Sequence, residues 1–224
     1  MIFKNLNNRF NYTLQGKTYE PTAEELVLIT KETITKNDWK NKDYKRYKDK
    51  VKQRHFLYQN DRCAYCRTKR MNIDAYYNHI EHIIPQTEIE KWIFRPKNLI
   101  VACTACNSLK NADITLADIT VTEFPDNSNG FKIFNPHFDN WSDHFHIKDG
   151  IFLTGKEGSK GYATIEYCHL FRYHVALDYA DEMRYRRKKT FRRLTHKLND
   201  CKVGSREHEQ LNLAIDSILL RINM

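Results

Sequence analysis

Glycine and proline are scarce in this 224-residue chain, seven and five in all, which excludes a collagen-like or low-complexity chain. Long hydrophobic runs are missing too. No stretch approaches the roughly 18 apolar residues that a membrane helix needs, so no membrane partner is expected. The stretch Met1–Arg9 lacks the basic segment, apolar core and small-residue cleavage site of a secretion signal, so the expected compartment is the reducing cytoplasm. Acids are under-represented: 28 Asp+Glu against 37 Lys+Arg leave a net charge of +9. That excess favours a polyanionic partner, although ribosome-like or membrane-surface binding would fit the same number. What is present is a hydrophobic fraction of 41%, and at this length folding buries roughly 70% of the unfolded surface. A soluble protein with a real core is expected.

The positive charge is clustered. Residues 36–54 hold nine Lys and Arg against three acids, and residues 184–197 hold eight with no acid. Each window reads either as a solvated helix face or as a surface that tracks phosphates, and the pair together makes nucleic acid the leading partner. In the first window Trp39, Tyr44 and Tyr47 alternate with the basic residues, and Phe56 and Tyr58 follow.

Local signals order the chain. Thr22 with Glu25 three residues on has capping-box spacing ahead of Leu26-Val27-Leu28-Ile29, and predicts a helix there. Between Cys63 and about Asn111 the pattern shifts to extended runs at 78–84 and 99–102, then a helical start at Thr104. Residues 113–160 carry turn signals, including 125–130, Gly155, Gly158 and Gly161, between short apolar runs. Helix returns from Ala163, with Leu170, Tyr173, Leu177, Ala180 and Met183 as one apolar stripe and Leu211, Ile215, Ile218, Leu219 and Ile222 as another. The fold class is α+β, a small central unit embedded between N- and C-terminal helical segments. Its divisions are 1–62, 63–112, 113–160 and 161–224, folding as one unit.

Four of the six cysteines form two identical brackets, Cys63-Ala64-Tyr65-Cys66 and Cys103-Thr104-Ala105-Cys106. Two such turns assemble a tetrahedral thiolate site, and the reading is structural Zn²⁺ held by Cys63, Cys66, Cys103 and Cys106. Disulfides are disfavoured in a reducing compartment, and a redox pair needs only one bracket. Four protein ligands leave no open position, so this zinc holds the fold. Cys168 and Cys201 read as ordinary buried thiols.

Between the brackets lie His79-Ile80-Glu81-His82-Ile83-Ile84-Pro85 and Asn98-Leu99, with Asn107 just after the second bracket and Lys110 one turn later. This succession resembles the HNH nuclease family, whose fold is a zinc-bracketed ββα-metal unit, and it covers residues 63–110. Farther out, Phe134-Asn135-Pro136, Asp139, His144-Phe145, Asp149-Gly150-Ile151, Gly161, Thr164-Ile165 and the Arg184 helix are similar to PtuB-type HNH proteins of Septu and retron antiphage systems. That likeness implies a prokaryotic cytoplasmic defence effector working with an SMC-like ATPase.

The residue types suit phosphodiester hydrolysis, which needs a base for water and a Lewis acid for the phosphate. Neutral His82 can take the proton. Oxygen donors from Glu81 and Asn107 suit a catalytic Mg²⁺ or Mn²⁺. Asn98 either orients the His82 loop or caps a turn, and Asn107 either ligates metal or caps its helix, departing from the commoner final His. His79 shares a strand face with Glu81, and meets metal or phosphate or makes a structural hydrogen bond. Lys110 meets phosphate or is solvated. Arg184, Arg186, Arg187, Lys188, Lys189, Arg192 and Arg193 are the expected nucleic-acid contacts, DNA before RNA. The reading is an HNH endonuclease; the alternative is an inactive zinc module that binds nucleic acid or docks on the ATPase.

Overall fold

The structure is a computed structural model that describes residues 10–69, 78–148 and 152–222; the side chains of 78, 148, 152, 183–191, 206, 214 and 217–222 lie outside that description. Helix α1 (Ala23–Ile29) starts on the expected capping box: the Glu25 amide donates to Thr22 Oγ1 and the Thr22 amide to Glu25 Oε2. The basic window that follows is not one helix. A 3₁₀ turn, Lys36–Lys40, and a shorter one, Lys42–Tyr44, lead into α2 (Lys45–Tyr58). Tyr44, Tyr47 and Val51 bury their side chains against Ile93, Phe94 and Leu99, while most of the lysines face water. Tyr44 stacks on Phe94 with ring centroids 4.0 Å apart. This second small core fastens the N-terminal segment to the central unit.

That unit is strand β1 (Asn78–His82), strand β2 (Leu99–Cys103) and helix α3 (Thr104–Lys110). The strands pair antiparallel, with Glu81 opposite Ile100 and His82 opposite Leu99. A two-stranded sheet is marginal alone, so its neighbours must finish it. Gln59 does so as a backbone mimic: its Oε1 accepts from the Val101 amide, and its Nε2 donates to the Val101 and Arg62 carbonyls. His137 Nε2 donates to the Leu99 carbonyl at 3.0 Å. The main core runs from Phe10 through the cysteine loops to Phe134, Trp141, Phe145 and Tyr179.

Residues 113–160 hold helix α4 (Trp141–His144), the hairpin of β3 (His146–Lys148) and β4 (Phe152–Thr154), and a bridge between Leu116 and Phe131. Helix α5 (Lys160–Tyr167) begins earlier than the apolar pattern suggests and contains Gly161, which reads in sequence as a turn residue. The glycine is there because α5 crosses α4 closely: a Cβ at 161 would sit 1.9 Å from the His144 carbonyl oxygen.

Helices α6 (Tyr173–Asn199) and α7 (Arg206–Ile222) pack on each other. The stripe read on α6 is not its buried face. Tyr173 is 78% and Leu177 39% exposed, while Val175 and Tyr179, four apart, enter the core. Leu170 is buried but lies in the turn before α6. A polar anchor overrides the hydrophobic period: Tyr179 donates to the Cys66 carbonyl at 2.7 Å, and Glu182 pairs with Arg62 at 2.7 Å. On α7, Ile215 is buried and Leu211 half-buried; Ile218, Leu219 and Ile222 lie outside the described side chains.

Candidate active site

The cysteine brackets meet because β2 delivers Cys103 beside the loop that carries Cys63. The Ala64 amide donates to the Val101 carbonyl, and the Cys103 amide donates to Cys63 Sγ. All four sulfurs lie within 4.8 Å of one another, and the Cys66 and Cys103 sulfurs are 3.9 Å apart. A tetrahedron with Zn–S bonds of about 2.3 Å has edges of roughly 3.8 Å, so donors and spacing fit Zn²⁺. All six cysteines are free, Cys168 fully buried and Cys201 only half-buried beside Ser205. Among the described residues no other group of three His, Cys, Asp or Glu converges in this way.

Several arginines carry this site, and no motif along the chain marks them. Arg172, at the N-cap of α6, donates to Cys106 Sγ at 3.2 Å and sets a positive charge beside the thiolates. Arg67 is fully buried, lies 3.9 Å from the Tyr12 ring centroid, and donates to the carbonyls of Phe10, Cys63 and Gln59. Burial pulls its guanidinium down to about 10, which leaves it charged at neutral pH. Arg62 donates to the Arg67 carbonyl and, through its pair with Glu182, ties the loop to α6.

Next to the cysteines opens a cavity of about 590 Å³ lined by His79, Glu81, His82 and Asn107. His82 ends β1 and is 5% exposed. Its Nε2 lies 2.9 Å from the Ile93 carbonyl oxygen. A carbonyl only accepts, so Nε2 carries the proton and Nδ1 is the basic atom. Burial pulls the imidazole down to about 4, so the ring is neutral at pH 7.

Asn98 holds the two backbone segments that frame that ring. Its Oδ1 accepts from the Ile84 amide at 2.7 Å, and its Nδ2 donates to the Ile84 and Trp92 carbonyls, both at 3.1 Å. Its own carbonyl accepts from Ile83. Asn98 thus joins the backbone just after His82 to the Trp92 turn.

Glu81 and Lys110 depart from expectation. Lys110 does not face solvent: it is fully buried, with Nζ 2.8 Å from Glu81 Oε1. Residue 110 is one turn after Asn107 on α3, a face that packs against β1, and burial leaves the ammonium this carboxylate as its counter-charge. Neither atom has a well-aligned hydrogen-bond partner. Burial, partly offset by Lys110, pushes the Glu81 carboxyl up to about 7. His79 Nε2 sits 3.2 Å from Thr104 Oγ1, and half-buried Asn107 faces the same cavity from α3. Carboxylate and amide oxygens are a donor chemistry that fits Mg²⁺ or Mn²⁺.

In sequence Trp39 stands among basic residues with nothing to tie it to His82. The structure brings them together: the two rings meet edge to face, centroids 4.3 Å apart. No signal along the chain could have linked positions 43 residues apart. Of the basic residues expected on α6, Arg192 and Arg193 are exposed; Arg184, Arg186, Arg187, Lys188 and Lys189 lie outside the described side chains.

Residues 63–113 match the family model of the HNH endonucleases. The chain therefore carries an HNH endonuclease domain, and that domain coincides with the cysteine site and the ββα unit. No curated protein matches the chain. Among the described residues no helix is long and apolar enough to cross a membrane.

Proposed function

We propose that this chain is a metal-dependent endonuclease that hydrolyses phosphodiester bonds in DNA. The observation that carries the reading is His82: a neutral imidazole at the cavity wall, its Nε2–H committed to the Ile93 carbonyl and its Nδ1 left as the base, beside oxygen donors from Glu81 and Asn107. Glu81 and Asn107 are the residues that would hold a divalent cation, which would supply a Lewis acid for the phosphate and the leaving oxygen. His82 Nδ1 accepts a proton from water, the oxygen forms its bond to phosphorus, and the P–O bond to the leaving group breaks. An approaching phosphate favours the imidazolium and so opposes the burial that keeps the ring neutral. Asn98 acts through the backbone, keeping the ring where its lone pair is useful. The cysteine-bound zinc is structural, with no open ligand position.

The likeness to PtuB-type proteins extends the proposal to an antiphage effector in a prokaryotic cytoplasm, acting with an SMC-like ATPase. The basic face of α6, represented by exposed Arg192 and Arg193, serves as a further DNA contact or as the ATPase-docking surface. One observation favours the second reading, an inactive module: Lys110 already occupies a carboxylate oxygen of Glu81.

Zinc-loaded protein incubated with supercoiled plasmid and Mg²⁺ or Mn²⁺ separates the two. The wild type should nick the plasmid, and His82→Ala should not while retaining its zinc and its DNA affinity. Cleavage by the variant at the wild-type rate would overturn the mechanism, and loss of its zinc would mean that a ligand had been mistaken for a base.

A further inference from the structure

The cavity around His82 has a wall that does not belong to the matched domain. Lys36, Asn37, Trp39 and Lys40, from the 3₁₀ turn Lys36–Lys40, line it together with Gln86 and Thr87. This turn is fixed to the site. The Trp39 indole packs on His82 and lies 5.4 Å from the Phe94 ring. Lys48 donates to the Trp39 carbonyl at 2.6 Å and sits 5.1 Å from its ring centroid. With His82, Phe94 and Lys48 all against it, the indole is an anchor and not a free stacking platform.

The charges of the turn are sorted. Asp38, its acid, accepts from the Thr35 amide at 2.8 Å and from the Thr35 hydroxyl, and does not line the cavity. Lys36 and Lys40 are exposed, do line it, and have no carboxylate partner among the described residues. The carboxylate of the cavity wall, Glu81, is answered by Lys110. Among the described residues the lip thus presents two unpaired lysines to the cavity, while the acid of the turn faces away from its lining. Four residues of 3₁₀ turn, at about 2 Å each, separate the two lysines by roughly 8 Å. Phosphates two steps apart on one strand of a duplex rise roughly 7 Å along its axis and, because the strand winds, lie farther apart than that in space, a span that two flexible lysine arms starting roughly 8 Å apart can cover. Two long arms at that spacing reach two phosphates, one on each side of a third.

We propose that the Lys36–Lys40 turn is a DNA-backbone subsite of the catalytic cleft, in which Lys36 and Lys40 hold the phosphates flanking the scissile one and Trp39 is the positioning residue that fixes them relative to His82. The proposal rests on the nuclease reading and adds to it a strand-binding element that lies outside the matched domain.

The test measures binding without cutting. Zinc-loaded wild-type protein, with no Mg²⁺ or Mn²⁺ added so that binding is read without cutting, is titrated against a short fluorescein-labelled DNA duplex by anisotropy over a series of KCl concentrations, with and without Lys36→Gln and Lys40→Gln together. Both lysines are exposed, so the double change should leave zinc content and circular dichroism alone. The log–log salt slope should flatten by roughly 1.8, about 0.9 for each phosphate that is no longer neutralised. Trp39→Ala, made in the same background, should flatten it with both lysines present, and Trp39→Phe should restore it. An unchanged slope in the double variant overturns the subsite, and an unchanged slope in Trp39→Ala overturns the positioning role. Failure of the wild type to cleave with either metal would remove the nuclease reading while leaving these slopes to be read on their own.

Discussion

Replacing Asn98 by alanine tests the geometry of the site at a fully buried polar side chain. The residue is fully buried and makes three side-chain hydrogen bonds, all to backbone. Alanine strands the amide and the carbonyl of Ile84 in a space that water enters poorly, while the Trp92 carbonyl keeps the Arg95 amide as a donor. A buried group left unsatisfied costs about 1–3 kcal/mol, with the amide at the upper end because it has one hydrogen and no second partner. The sum is about 3–5 kcal/mol, a large part of the 5–15 kcal/mol typical of a folded domain. The functional effect follows from the same bonds. Trp92 precedes Ile93, whose carbonyl holds His82 Nε2, and Ile83 and Ile84 follow His82 directly, so both halves of the clamp loosen together. Urea unfolding of the zinc-loaded protein gives the stability, and plasmid nicking under conditions where the variant is folded gives the activity. Asn98→Asp refines the test: it keeps an acceptor for the Ile84 amide but turns an acceptor oxygen toward two carbonyls, so it should lose as much as alanine despite its matching shape. A loss below about 1 kcal/mol, or full activity in the folded alanine variant, would refute this account of the residue.

Two further outcomes follow from the core and the cysteines. Cys103→Ser should release the metal and unfold the central unit, since a structural zinc contributes folding energy outright; fewer than one zinc per chain in well-folded wild type, by metal analysis, would count against the site. His55 is held by burial at about 4 against an ordinary 6.5, and its neighbour His137 is shifted the same way. Both stay neutral in the fold while the unfolded chain takes up protons, so stability is full above pH 6.5 and falls as pH drops toward 4. For His55 the difference between 6.5 and about 4 corresponds to about 3 kcal/mol. His55→Gln should shallow the acid limb of a plot of unfolding free energy against pH; an unchanged limb would show that the ring is solvated.

Local chemistry along the chain was enough to set out the central unit. Paired CxxC brackets need little context, because two short turns must converge for any four-thiolate site. Extended runs before and after the intervening loop, and a helix opening at Thr104, follow from residue types that the structure uses as the sequence suggests. His82, Asn98 and Asn107 stand out through their spacing relative to those brackets. What the chain could not show is every decision made by burial. Lys110 is one turn from Asn107 and reads as a surface cation, yet α3 lies on β1 and the lysine is drawn into a buried pair with Glu81. Tyr173 and Leu177 on α6 obey the helical period and still face water, because a hydrogen bond and an ion pair to the cysteine loop rotate Val175 and Tyr179 inward. Gly161 reads as a turn, but its reason is a carbonyl from another helix. Trp39 reads as one aromatic among lysines and becomes a wall of the His82 cavity only when α2 and the Phe94 loop bring residues 36–40 across it. Bonds between near neighbours depend on residue identity alone, whereas these four outcomes depend on which distant surface arrives, and that is settled by the packing of the whole chain.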